Sequence, residues 1–233
     1  MKRKQVTAAI AVWAGAFALA GFAADHAESP TVTADPAADI ADVFFFRPNQ
    51  GMNRLVAGIS FAGRPSTAAG GVRIDGPTLR CDPNVLYVFN IDNNADGTLD
   101  ARPDIRVFAR LARNGNGQCG VQLEGIPGTG GRLIAGRTDA ILMDASSGLR
   151  VFAGLVEDPF FFDSQGFGET LASFAGAGQS GTINFQNTRD TFGGRNLSAI
   201  AFEMDLTAAL GGSATGAVLQ FWGDTYRFPG TQP

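Results

Sequence analysis

Short apolar runs separated by glycine-rich turns predict an all-β chain: an antiparallel β-sandwich or jelly-roll-like single domain with one short helix and one disulfide. Three observations carry this. The runs are rich in Phe, Val and Ile and follow period two, as in Tyr87, Phe89 and Ile91, or Ile105, Val107, Ala109 and Leu111. Glycine is abundant, 31 of 233 residues, and gathers with Asn, Pro and Thr between the runs. The two cysteines, Cys81 and Cys119, flank one long hairpin.

The chain opens with Lys2, Arg3 and Lys4, then an apolar run from Ala8 to Phe22 and small residues at Gly21-Phe22-Ala23. That order is a secretory signal, so residues 1–24 are read as a signal peptide cleaved after Ala23 or Ala24, and 25–233 as one β domain. The run is too short for a confident membrane span. Export to the periplasm or beyond follows. What remains has no lysine, and carries 15 arginines against 22 acids, a net charge of about −7. An acidic chain without a basic run is a poor nucleic-acid binder, and without lysine it has no Schiff-base chemistry.

A polar, proline-broken arm leads to an expected strand at Asp42–Arg47. A turn at Pro48-Asn49-Gln50-Gly51 and a returning strand at Arg54–Ala62 follow. Arg64 to Pro77 reads as a connection. The next stretch, Val85 to Leu111, holds the strongest chemical signal. Two period-two strands bracket a loop spelling D-x-N-x-D-G-x-x-D, from Asp92 through Asn94, Asp96, Gly97 and Thr98 to Asp100. Alternating side-chain oxygens before a glycine turn suit a hard cation that takes six or more oxygens, above all calcium. The expected ligands are the side chains of Asp92, Asn94 and Asp96, the carbonyl of Thr98, and a closing carboxylate from Asp100 or Asp104. The loop is not an EF-hand: its twelfth position is Pro103 and its flanks are strands. An ordinary Asn/Asp/Gly turn needs no metal, but three acids within nine residues repel one another without a counter-charge.

Pairing Ile91 with Ile105 makes facing positions sum to 196, and Cys81 and Cys119 sum to 200, so one disulfide across a bulge or small shift is expected. Asn114 to Gly117 is a turn, Gly120–Glu124 a strand and Gly125–Gly131 a loop. That loop lacks the lysine and following helix of a phosphate cradle. Leu133–Met143 and Leu149–Val156 read as strands, Gly168–Ala175 as the short helix, and Leu197–Leu206 and Ala217–Trp222 as closing strands. The triple phenylalanines Phe44–Phe46 and Phe160–Phe162 read as strands buried on both faces.

Several of these stretches are familiar together. DHAESP, DPAADIADVFFF, IDNNADG, VFAGLVEDPFFFD and DTFGGRNLSAIAFEMDL followed by VLQFWGDT resemble, in that order, the bacterial family called domain of unknown function 4331. The likeness spans nearly all of the chain beyond the signal segment, with Leu197 where the family commonly has Val. It implies an exported bacterial domain and brings no established activity. It also marks His26 with Asp39 and Asp42, and separately Asp158 and Asp163, as a second oxygen-rich metal site carrying one imidazole.

His26 is the only histidine. A Ser-His-Asp or Cys-His centre would have to use it, and it stands beside the expected cleavage point. A zinc site built on several histidines is excluded. Beyond its phenylalanines the mature chain offers Trp222, Tyr87 and Tyr226, few platforms for sugar stacking, which counts against glycosidase and lectin. Two functions of different class remain. One is an exported, calcium-stabilised domain with a binding, surface-structural or envelope role toward an unknown protein or small ligand. The other is a metal-dependent hydrolase or oxidoreductase using the acids around His26.

Overall fold

The structure, a computed structural model, describes residues 34–62, 79–93, 104–175, 180–194, 196–211 and 218–230. The alternating runs form strands β1 (Ile40–Phe46), β2 (Arg54–Phe61), β3 (Val85–Asp92), β4 (Ile105–Arg113), β5 (Cys119–Glu124), β6 (Ile134–Arg137), β7 (Ile141–Asp144), β8 (Leu149–Glu157), β9 (Asn196–Asp205) and β10 (Gln220–Arg227). Helix α1 is Ser164–Phe174 and a single turn, α2, is Leu206–Leu210. Two five-stranded sheets result, in the orders β1-β2-β9-β8-β7 and β10-β3-β4-β5-β6. Every paired neighbour is antiparallel.

Period two explains why the sheets face each other. Val85, Tyr87, Phe89 and Ile91 point one way from β3, and Leu55, Ala57, Ile59 and Phe61 one way from β2; none is more than 3 % exposed. Rings meet across the gap: Phe61 and Tyr87 at 4.3 Å between centroids, Phe89 and Phe202 at 5.1 Å, and Phe45 stacked on Phe221 at 4.9 Å. Each such pair is worth about 0.5–1.5 kcal/mol beyond the area it buries. Tyr87 keeps its hydroxyl satisfied by donating to the carbonyl of Ala37 at 2.7 Å. Burial pushes its pKa well above the ordinary tyrosine value.

The central hairpin has the expected register, with Ile91 facing Ile105 and Leu86 facing Arg110. Cys81 and Cys119 are bonded, with Cα atoms 6.1 Å apart. Their positions depart from the hairpin's sum because Cys119 belongs to the next strand, where it faces Arg113 of β4. Closing that loop contributes about 4 kcal/mol in the chain-entropy account.

Five local expectations are corrected. Leu133–Met143 is two strands, because Thr138 to Ala140 carry the chain from one sheet to the other, with Asp139 at φ 58°. Phe44–Phe46 lies on an edge strand; Phe45 enters the core and Phe46 is half-exposed. Phe160–Phe162 is not a strand, and its first and third rings join Phe167, Phe185 and Phe192 in a separate aromatic cluster. Helix α1 starts four residues earlier than expected, and its Leu171 and Phe174 are exposed. The last strand runs on to Arg227. The Arg64–Pro77 connection lies outside the described residues.

Candidate functional site

The end of β3 and the start of β4 build the base of the acidic loop. Continuing their register places Asp92 opposite Asp104, two carboxylates on neighbouring strands. The backbone N–H of Asn93 donates to Oδ2 of Asp104 at 3.0 Å, which joins the two ends of the loop. Asp92 is 3 % exposed. A carboxylate held that far from water is retained where donors or a cation match it.

Helix α2, which follows β9 of the first sheet, pins this base from the other side. Asn93 Nδ2 donates to the carbonyl of Ala209 at 2.9 Å. Asp205 caps α2 by accepting from the backbone of Ala208 at 2.9 Å, and Gly211 ends it at φ 58°. Asn53 Nδ2 in turn donates to Asp205 at 2.7 Å. Asn93 is the residue the sequence reading missed. Its signal was the alternation itself: if Asp92 and Asn94 turn toward an ion, the side chain between them turns away, into the fold. Asn94, Asp96, Thr98 and Asp100 lie outside the described residues. The donors at the base, Asp92 and Asp104, are both hard oxygens, which fits calcium and does not fit a thiolate or imidazole metal.

The second group of acids divides. Asp39 precedes β1, Asp42 lies in β1 and Asp158 follows β8, so all three sit toward one end of the first sheet, with β2 and β9 between the two strands. Asp39 and Asp158 are buried. Asp42 Oδ2 accepts from Ser60 Oγ at 2.8 Å, and Asp158 Oδ1 accepts from the backbone of Phe160 at 3.0 Å. Asp163 is elsewhere, at the N-cap of α1. Its Oδ1 accepts from Gly166 N, and its Oδ2 from Gln186 N and from Arg189. Burial opposes ionisation of Asp163, but those hydrogen bonds and the guanidinium hold its carboxyl below the usual range. Arg189 also reaches Glu169 at 3.4 Å, closing a structural knot between α1 and the following loop. His26 lies outside the described residues. Among the described residues, no three of Asp, Glu, His or Cys form a group able to hold a metal ion.

At the opposite end from the acidic loop, Arg227 clamps the start of the domain. It pairs with Asp35 and, at 2.9 Å, with Asp82, next to the disulfide. Among the described residues no helix is long and apolar enough to cross a membrane. No protein-family profile, curated protein or solved structure matches the chain.

Proposed function

We propose that the protein is an exported, calcium-stabilised β-sandwich domain that acts by binding, in the periplasm or outside the cell, rather than by catalysis. The observation that carries this is the base of the β3–β4 loop, where buried Asp92 faces Asp104 and Asn93 is tied to α2. That base brings the two ends of the D-x-N-x-D-G stretch together, which supports its oxygens converging on one hard cation. Asp92, Asn94 and Asp96 supply side-chain oxygens, Thr98 its carbonyl, and Asp100 or Asp104 the closing carboxylate. The ion neutralises acids that otherwise crowd one turn. The disulfide supports an oxidising compartment, as does the secretory character of residues 1–24. The resemblance to domain of unknown function 4331 points the same way.

Titration calorimetry of calcium into metal-free protein tests this. One site is expected, with its heat lost in Asp96→Ala and kept in Asp75→Ala, which lies outside the loop. No heat in the parent, or equal heat in Asp96→Ala, overturns the proposal.

A further inference from the structure

The arginines of the described chain divide by their surroundings. Arg54, Arg132, Arg150, Arg189 and Arg227 each pair with a carboxylate. Arg47, Arg80, Arg106, Arg110, Arg113 and Arg137 make no ion pair with any described carboxylate, in a chain whose net charge is −4. Arg110 and Arg137 share one face of the second sheet, while Arg113 ends β4 in phase with the buried Leu111. The register runs Arg110–Gln122–Ala135 along one row of the second sheet's outer face, and Ala112–Gly120–Arg137 along the next. Small residues at Ala112, Gly120 and Ala135 lower the floor there. A groove of about 500 Å³ results, with Arg110 and Arg113 in its wall. An adjoining groove of about 520 Å³ is lined by Arg113, Arg137 and Asp139. Both lie in the size range of ligand sites.

An aromatic feature accompanies the charge. The Arg110 guanidinium lies 5.2 Å from the centroid of Phe228, a contact that holds its planar fork in place. Tyr226 is on the same row, since Tyr226 faces Leu86 and Leu86 faces Arg110, and it is 56 % exposed.

We infer that this outer face binds an acidic polysaccharide, a chain of uronic-acid sugars, with Arg110 and Arg137 taking carboxylates and Tyr226 covering a sugar ring. Guanidinium forks match carboxylates bidentately. Arg110 and Arg137 stand on strands either side of β5 and two residues apart along it, roughly 12 Å from strand spacing and rise. That span reaches past a neighbouring sugar, from one carboxylate to a later one, along an extended polyuronate. Few aromatic platforms are present, so charge leads the recognition and one ring supplements it. Two arginines spaced this widely on an otherwise acidic protein suit one charge per sugar better than the denser charge of nucleic acid, about one per 1.7 Å in a duplex. The inference rests on the reading of an exported binding domain, and not on the calcium loop.

The test is native electrophoresis through gels containing polygalacturonate or neutral hydroxyethylcellulose, with chelator present and below the chelated protein's melting temperature. Retardation in the polyuronate gel alone is expected. The double variant Arg110→Gln/Arg137→Gln should lose affinity about tenfold or more, and Tyr226→Ala should weaken binding. Arg150→Gln, on the outer face of the other sheet, should bind like the parent. Equal mobility in the two gels overturns the inference, as does equal loss in Arg150→Gln. Displacement by single-stranded DNA at lower concentration than by free polygalacturonate makes the ligand a phosphate polymer and also overturns it. Because chelator is present, a protein that binds calcium yet ignores polygalacturonate sinks this inference alone.

Discussion

Gly125 sits at φ 83°, and a methyl group added there would lie 2.3 Å from the carbonyl oxygen of Arg106. Both the conformation and the close approach exclude a side chain. Gly115, at the tip of the turn before β5, meets nothing within 4 Å and has no positive φ. Gly125→Ala should therefore cost more than about 1 kcal/mol in urea unfolding, while Gly115→Ala should be neutral or stabilise by up to about 1 kcal/mol. The sequence marks both as loop glycines and does not distinguish them, because the difference is a contact with a strand nineteen positions earlier in the chain. Asp92 and Asp104 were legible because both their chemistry and their register are local. Arg110 and Arg137 were not, since what unites them is a shared sheet face, and that is settled only when β4, β5 and β6 have their register.

Elements were readable where one period ran unbroken between turn residues, as in β3 and β4. They were misread where a side chain's partner lay in the other sheet. Trp222 looks like the end of the last strand because Gly223-Asp224 resembles a turn. In the fold Gly223 continues β10, and its missing Cβ makes room for Ile59 of the facing sheet, 2.8 Å from where that atom would be. Thr138 to Ala140 hides a crossover because no glycine or proline marks it; Asp139 takes the positive φ instead. The disulfide ties the start of β3 to β5 and so braces the hairpin at the end away from the acidic loop. Replacing Cys81 and Cys119 together by serine should lower the free energy of unfolding by up to about 4 kcal/mol. Calcium affinity should change little, because the loop base is held by Asn93 and α2. Equilibrium denaturation and calorimetry on the same preparation would separate the two effects, and a variant that loses both at once would contradict this division.

Over the whole molecule, several carboxylates are held in their charged form by the folded state. Hydrogen bonds from Ser147 and Arg132 bring the Asp144 pKa down to about 2. Arg54 lowers Glu203, and Gln165 and Arg189 lower Glu169. Groups depressed in this way stabilise the fold above their unfolded values, near 4, and lose that contribution as pH falls through the folded ones. The melting temperature should therefore be nearly flat from pH 7 to about 5 and fall between about pH 4 and 2. Arg132→Gln should lower the melting temperature at neutral pH and make that fall shallower, because Asp144 then contributes less above its unfolded value. A melting temperature that rises on acidification in this window would contradict the ion pairs described.

The proposed calcium loop gathers Asp92, Asp96, Asp100 and Asp104 between two strands, and its dependence on a cation is the central claim. The direct measurement is a melting curve in calcium and in chelator at neutral pH, for the parent and for Asp96→Ala. With free calcium a hundredfold above its dissociation constant, binding to the native state contributes about 2.7 kcal/mol. The parent should melt several degrees higher in calcium than in chelator, and Asp96→Ala should melt at nearly the same temperature in both. A parent that melts at one temperature in both buffers would show the loop to be an ordinary turn and contradict the account.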